Sequence, residues 1–383
     1  MPTYLLHDDS VRSAEMRHEV AEAVRDPITF IEHDGRRIVA GARFERDVFA
    51  TREDVVDEFW DTHDLGYDDL VVDSSFPETL IQPELVLRAL RRLGVDAVVV
   101  PPSFRVLVAD YLRERGIDVV VDADAWEHRR RRKSPWELEG VERAQRAAET
   151  AMLAAARMLG ESEVTRDGLL RFEGEILTAD LVRVAMNAEL LSQGAESEDI
   201  LVHSGDACFG WHDVGAGPIL PDRPCIVDCY PRDRRTGVYT DMSRTFVPGT
   251  PSDEVRAMHG HVKRALDVAL DALRPGQADA FRRVCEHFHA LGIPTQLSHR
   301  GDGPMHEGFP HALGHGVGLD VHERPHIGRR SDELAEGDVV AVEPAIYRRG
   351  HGGVRIEDTV VVTADGPERL TDPFPYDLEP PGH

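Results

Sequence analysis

The sequence HALGHGVGLDVHERPH, residues 311–326, decides how the second half of the chain folds. Its last five letters match the H-E-x-x-H pattern, in which two histidines on one helical turn bind zinc. Pro325 lies inside that supposed helix, where it removes a backbone donor and clashes with the preceding turn at a cost of roughly 3 kcal/mol. The glycines and the alternation of GHGVGLDV are typical of a strand. We therefore predict an extended segment and a turn, and no helical zinc-protease site.

The composition indicates a large globular protein. A chain of 383 residues suits two domains. It contains no run of about 18 apolar residues that could span a membrane, and its first residues lack the pattern of a secretory signal. The four scattered cysteines indicate free thiols in a reducing compartment. We therefore expect a cytoplasmic protein.

The formal net charge of −26 argues against two classes of partner. A broadly acidic surface repels nucleic acid and anionic membranes, so we expect neither. The basic run at residues 129–133 is interpreted as a solvated linker edge. The chain is acidic, and nearly all of its basic residues are arginines. A GC-rich genome, which favours arginine codons, and adaptation to high salt are both compatible with this composition, and the sequence leaves both open.

Residues 1–130 read as an α/β domain. Valine-rich runs in DLVVDSS, DAVVVPPS and GIDVVVDADA are predicted as strands, and helical segments such as PELVLRALRRLG separate them. ITFIEHDGRRIVAGARF predicts a hairpin around Asp34-Gly35, and SVRSAEMRHEVAEAVRD predicts a helix. This order suggests βαβ units and a parallel sheet.

Residues 131–383 read as an α+β domain. Ser134-Pro135-Trp136-Glu137 predicts a helix start with a capping box. DGLLRFEGEILTADLVRVAMNAELLSQG is interpreted as a second helical region, and two further helical segments precede strand-like runs such as VVAVEPAIY. We expect an antiparallel sheet with helices on one side.

Four acids interrupt apolar, strand-like runs of this second domain: Asp228, Asp241, Glu343 and Glu357. The first two fit neighbouring strands of a hairpin joined by PRDRRTG, so that both carboxylates point to one place. An acid among valines and isoleucines is costly to bury. A pair of divalent cations is the simplest shared explanation. His315 is a candidate ligand, because its glycine neighbours permit close approach.

From about residue 133 to its end, the chain resembles the pita-bread metallopeptidases (M24), a family that includes methionine aminopeptidase, Xaa-Pro aminopeptidase, Xaa-Pro dipeptidase (prolidase) and creatinase. The matching segments are HALGHGVGLDVHERP, VEPAIY, VRIEDTVVVT, IVDCYPR and YTDMSRTF. The first domain resembles the smaller creatinase-type domain, which points to the Xaa-Pro branch. The resemblance implies a creatinase-like domain at 1–130 and a pita-bread catalytic domain at 131–383.

The resemblance also implies hydrolysis of an N-terminal Xaa-Pro bond in short peptides whose second residue is proline. It implies two divalent ions, with Mn²⁺ favoured over Co²⁺, Zn²⁺ or Fe²⁺, and a homodimer. The implied metal ligands are Asp228, Asp241, His315, Glu343 and Glu357. The implied catalytic residues are Glu343 for proton transfer, His322 at the tetrahedral intermediate and His212 beside the scissile bond. His311 and Arg355 are implied substrate-binding residues, and the guanidinium of Arg355 could instead orient the acids beside it.

Two other functions remain as alternatives, and a third is disfavoured. A related enzyme could hydrolyse or lyse a small non-peptide substrate on the same fold. A non-catalytic binding protein is disfavoured because the ligand set is complete, and a serine hydrolase because the chain has no G-x-S-x-G elbow. The chain departs from the family between Asp228 and Asp241, where RDRRTG predicts a longer hairpin tip.

Overall fold

The computed structural model describes residues 1–52, 54–210, 213–301 and 303–380. The chain divides into two compact units, Met1–Arg130 and Arg131–His383. Among the described residues, no helix is both long and apolar enough to cross a membrane.

The first unit is built on a sheet that has six strands within the described residues, in the order β4-β3-β2-β1-β5-β6. The strands are β1 (Tyr4–Asp8), β2 (Ile28–His33), β3 (Arg36–Gly41), β4 (Glu58–Asp61), β5 (Ala97–Val100) and β6 (Asp118–Val121). The helices are α1 (Ala14–Val20), α2 (Arg46–Phe49), α3 (Tyr67–Val72), α4 (Ile81–Leu93), α5 (Val106–Arg113) and α6 (Ala123–Arg131). Short 3₁₀ turns span Arg43–Glu45, Thr62–Leu65 and Glu78–Leu80.

This unit confirms the α/β prediction and the hairpin, since β2 and β3 are antiparallel around the Asp34-Gly35 turn. The sheet is mixed, however, because β1 pairs antiparallel with β2 and parallel with β5. DLVVDSS is not a strand. Its first residues belong to α3, where Leu70 is buried and the two valines after it are exposed. The predicted first helix is shorter than its pattern, because Ala21 adopts a left-handed conformation with φ 56°.

The basic run is not a solvated linker edge. Arg129 lies on α6, where its guanidinium bonds Glu19 at 2.5 Å and Glu32 at 2.6 Å. In the second unit, Arg131 pairs with the buried Asp338 at 2.5 Å. Acidic partners elsewhere in the chain therefore pair with Arg129 and Arg131 of this run.

The second unit alternates long helices with short antiparallel strands. Its helices are α7 (Pro135–Gly160), α8 (Ala179–Ser192), α9 (Asp253–Ala272) and α10 (Ala280–Ala290), with a 3₁₀ turn at Gly205–Phe209. Its strands up to residue 246 are β7 (Glu163–Val164), β8 (Leu170–Phe172), β9 (Glu175–Ile176), β10 (Ala195–Glu196), β11 (Ile200–Ser204), β12 (Cys225–Cys229), β13 (Arg232–Asp233) and β14 (Met242–Phe246). The later strands are β15 (Gly314–Gly316), β16 (Glu323–Ile327), β17 (Val339–Val342), β18 (Ala345–Arg348), β19 (Gly352–Arg355), β20 (Asp358–Thr363) and β21 (Gly366–Glu368).

Two helix pairs build two apolar cores in this unit. Helices α7 and α8 pack with the sheet β11-β12-β14 around residues such as Met152, Met186 and Val227. Helices α9 and α10 pack with the sheet β16-β15-β17-β20-β21 around residues such as Leu266 and Phe288. The expected antiparallel sheet is thus divided into two main sheets, each with its own helix pair.

The local predictions in this unit had mixed outcomes. The capping box at Ser134 and Glu137 is present, and HERPH is extended, since it enters β16 opposite β15. The second helical region is wrong in its first part, where β8 and β9 form a hairpin. Glu173 and Gly174 at its tip both have positive φ, which matches a two-residue hairpin turn.

Candidate metal centre

The two aspartates come from one antiparallel strand pair. Asp228 lies on β12 directly opposite Ser243 on β14. Asp241 immediately precedes β14, two residues before Ser243, so the strand periodicity places it on the same face. The predicted hairpin is confirmed, and its register directs both carboxylates to the same side.

The two glutamates come from the second sheet. Strands β17 and β20 pair with Val342 opposite Asp358, so Glu343 and Glu357 are the next facing positions. Backbone bonds join these strand ends to their neighbours, from Glu343 N to Leu313 O at 2.8 Å and from Glu357 N to Ser243 O at 3.0 Å. The second of these bonds holds the two sheets together at the point where their acids meet.

Asp241, His315 and Glu357 form a buried group whose side-chain ligand atoms all lie within 4.8 Å of one another. His315 Nε2 lies 3.7 Å from Asp241 Oδ2. The other ring nitrogen, Nδ1, donates to the carbonyl of Gly316 at 3.0 Å, which leaves the lone pair of Nε2 directed at the acids. Asp241 Oδ1 is buried without a hydrogen-bond partner among the described residues. A buried acceptor beside an imidazole lone pair fits a bound cation.

Arg355 and Ser243 connect the remaining acids. The Arg355 guanidinium bonds the carboxylate of Asp228 and donates from Nε to Ser243 Oγ at 3.0 Å. Ser243 Oγ lies 2.8 Å from an oxygen of Asp228 and 2.8 Å from one of Glu357. One hydroxyl carries one proton, so only one of these carboxylates can accept it at a time. Asp228 also has the guanidinium of Arg355, whereas within the described residues the carboxylate of Glu357 has only this shared hydroxyl as a side-chain hydrogen-bond partner.

The pKa shifts of the site residues reflect the excess of buried carboxylates. Burial, followed by repulsion from neighbouring carboxylates, raises the pKa values of Asp241 and Glu357 well above their ordinary range. Burial also raises the pKa of Glu343 to about 7, although Arg355 acts in the opposite direction. Burial and the nearby His322 lower the pKa of His315 to about 3, so this imidazole is neutral and able to bind a metal.

These residues line a cavity of about 720 Å³ in the second unit. Asp199 and Tyr230 contribute to its lining, and so do two exposed arginines, Arg329 and Arg330. The volume is within the range of small-molecule sites. The cavity therefore offers acidic and basic groups around the buried cluster.

The predicted site histidines have different outcomes. His322 lines the cavity, and its ring centre is 4.2 Å from that of His315. His311 also lines it, with Nδ1 3.9 Å from Glu343 Oε2 and Nε2 3.3 Å from the hydroxyl of Tyr347. His212 lies outside the described residues. The cavity thus brings together the described histidines of the predicted site.

Several residues of the site have no role in the sequence-based prediction. Ser243 is a central one, and its spacing of two from Asp241 in YTDMSRTF is the signal that could have identified it. Glu323 accepts a hydrogen bond from the buried Lys133, which anchors β16 next to His322. His326 lines the cavity. HERPH therefore contributes to the site as a strand.

Comparisons with known proteins show the family and the fold of the chain. The profile of metallopeptidase family M24 matches residues 139–364. The chain is 31% identical to the Xaa-Pro dipeptidase of Pyrococcus furiosus over 248 residues, and it spans 62% of that relative's length. The solved X-Pro aminopeptidase of Thermotoga maritima superposes with a TM-score of 0.75 at 20% identity, covering 99% of this chain and 97% of that one. The Xaa-Pro dipeptidase of Bacillus anthracis gives 0.75 at 21% identity, covering 98% and 94%. These likenesses confirm the predicted fold class.

Proposed function

The chain belongs to metallopeptidase family M24, and on that premise we propose that it hydrolyses the N-terminal Xaa-Pro bond of short peptides. The observation that carries the proposal is the buried group of Asp241, His315 and Glu357, in which one carboxylate oxygen of Asp241 has no hydrogen-bond partner within the described part of the chain. Relatives named Xaa-Pro dipeptidase support this choice of substrate.

We assign two divalent ions to this centre, with Mn²⁺ as the first candidate. The residues that would hold them are Asp228, Asp241, His315, Glu343 and Glu357. Such ions, when bound, lower the pKa of a water molecule and polarise the scissile carbonyl. Hard carboxylate oxygens with one imidazole suit Mn²⁺ and also accept Co²⁺, Fe²⁺ or Zn²⁺.

The protein residues then have distinct tasks. Glu343 accepts the proton of the attacking water and passes it to the proline nitrogen as that nitrogen leaves. His322, which lines the cavity beside His315, donates a hydrogen bond to the oxygen that becomes negative in the transition state. Arg355 fixes Asp228 and Ser243. His311 and His212 are proposed to contact the substrate.

The two arginines of the cavity favour a dipeptide substrate. A guanidinium binds a carboxylate through paired hydrogen bonds, and Arg329 and Arg330 are the exposed cations that line this cavity in the described chain. The free carboxylate of an Xaa-Pro dipeptide lies close to the scissile bond, and we propose that these arginines bind it. An extended peptide lacks that carboxylate at the same position.

Domain roles, oligomeric state and location complete the proposal. We propose that residues 131–383 carry catalysis and that residues 1–130 form a creatinase-like domain. A homodimer is proposed from the family resemblance, and a cytoplasmic location from the four free, buried cysteines.

A substrate panel tests the proposal. Protein loaded with Mn²⁺ is assayed with Ala-Pro, its C-terminal amide, Ala-Pro-Ala and Ala-Ala, with product identification. We expect turnover of Ala-Pro, weaker turnover of the amide and none of Ala-Ala. Turnover of Ala-Pro-Ala above Ala-Pro would contradict the dipeptide preference. No turnover of any proline peptide with Mn²⁺, Co²⁺ or Zn²⁺ would favour a non-peptide substrate.

A further inference from the structure

A second buried charge network lies directly behind the metal centre. Its central residue is Arg244, whose side chain is 3% exposed and which follows Ser243 on β14. Around it lie Asp358, which begins β20, and the C-terminal segment 374–376. None of these residues has a role in the chemistry proposed above.

The Arg244 guanidinium has five N–H groups, and the structure gives it five acceptors. Nη1 donates to the backbone carbonyls of Ser243 at 2.9 Å and Glu357 at 2.7 Å. Nη2 donates to the carboxylate of Asp358 at 2.9 Å and to Phe374 O at 3.2 Å, and Nε donates to Pro375 O at 3.0 Å. Every donor is used, and four of the five acceptors are backbone carbonyls.

The two carbonyls bound by Nη1 belong to the residues that organise the proposed metal ligands. Ser243 bonds Asp228 and Glu357 through its hydroxyl, and Glu357 is itself a proposed ligand. Since the backbone of Glu357 also donates to Ser243 O, Arg244 closes a short ring of bonds across the junction of the two sheets. This guanidinium therefore bonds the backbone on both sides of the junction that carries the Glu357 carboxylate.

The C-terminal segment completes the network. Tyr376 bonds the carboxylate of Asp358 through its hydroxyl, and its ring lies 4.6 Å from the Arg244 guanidinium. Arg369 also bonds Asp358, at 2.7 Å. Arg244 is therefore held from the side opposite the metal centre.

We infer that Arg244 is a positioning residue for the metal centre and that it connects the C-terminal segment to Glu357. This inference rests on the proposed metal-dependent function. A lysine at this position keeps the charge but offers three donors in place of the planar set of five, so at least two of the five acceptors lose this hydrogen bond. Loss of such outer partners typically weakens metal affinity by about 10- to 100-fold.

The test measures metal binding separately from activity. Arg244→Lys, Tyr376→Phe and the wild type are titrated with Mn²⁺ by calorimetry, and the visible spectrum of each Co²⁺-loaded protein is recorded. Arg131→Lys is the matched control, because it makes the same substitution in another buried ion pair of this unit, with Asp338. Thermal unfolding of all four proteins reports stability.

We expect Arg244→Lys to raise the Mn²⁺ dissociation constant about 10- to 100-fold and to alter the Co²⁺ spectrum. Tyr376→Phe should raise it by a smaller factor, and Arg131→Lys should lower stability without changing affinity. If wild-type protein binds metal and both Arg244→Lys and Tyr376→Phe bind it equally well, this inference is wrong while the proposed function stands. If the wild type binds no metal, the proposed function fails first. Should Arg244→Lys not fold, the result for Tyr376→Phe decides.

Discussion

Glu357 and Asp358 are consecutive acids, and both are buried, at 2% and 6% exposure. The protein surrounds them in opposite ways. Asp358 accepts bonds from Arg244, Arg369 and Tyr376. Burial raises its pKa, but these donors outweigh burial and hold the pKa below its ordinary value. Burial and neighbouring acids instead raise the pKa of Glu357 well above its ordinary range.

This contrast separates a structural acid from a functional one. A buried charge is tolerated when it is paired and costly when it is not. Asp358 is fully compensated by the protein, whereas Glu357 shares one serine hydroxyl with Asp228. The missing positive charge on the Glu357 side is what a pair of divalent cations would supply.

The largest expected effect is on Asp241, an uncompensated acid like Glu357. Asp241→Asn should abolish hydrolysis of Ala-Pro in the presence of Mn²⁺, because an amide replaces a charged ligand at the centre of the group. The kcat/KM of purified protein is the measurement. Asp233→Asn is the matched control, since Asp233 is equally buried but paired with Arg143, and it should keep its activity. Equal activity in both variants would contradict the distinction between the uncompensated Asp241 and the paired Asp233.

A pair of variants at the two consecutive acids tests the contrast in stability. Asp358→Asn leaves the buried Arg244 without its acid and should lower the free energy of unfolding by about 3–5 kcal/mol. Glu357→Gln should have the opposite sign in metal-free protein, because a neutral amide removes a repelled charge. Chemical unfolding of chelator-treated protein measures both. A destabilised Glu357→Gln protein would show that Glu357 is compensated by the protein after all.

The smallest effect is a pH dependence of metal-free stability. The folded pKa of Glu343, about 7, lies above its unfolded value. The stability that comes from this difference is therefore fully present below the unfolded pKa, and it is lost as the pH rises through 7. We expect the Tm of chelator-treated protein to fall by roughly 5 °C between pH 5.5 and 8. Mn²⁺ or the variant Glu343→Gln should reduce this fall. An identical slope in all three samples would argue against an uncompensated Glu343.

Much of the site could be predicted from the sequence because its ligands interrupt apolar strands. Asp228 and Glu357 stand out in CIVDC and VRIED, and Pro325 excludes the helix that HERPH would otherwise suggest. These signals are local in the sequence, and the pairing register of the strands brings the side chains close together.

The remainder depends on tertiary contacts that local patterns do not contain. Arg244 reads as an ordinary strand residue, yet four of its five acceptors lie more than 100 positions away in the sequence. DLVVDSS has the valines of a strand, but its first residues form the end of α3, in which Leu70 is buried and the two valines are exposed. The pattern around the β8–β9 hairpin resembles a helix, but Glu173 and Gly174 at the hairpin tip adopt positive φ and form a turn.

The most direct test of the central claim is a calorimetric titration of chelator-treated protein with Mn²⁺, performed on the wild type and on Asp241→Asn. The uncompensated acids predict two ions bound per wild-type chain, with binding lost or greatly weakened in the variant. Wild-type protein that binds no ion, or a variant that binds as the wild type does, would contradict a metal centre at Asp241, His315 and Glu357.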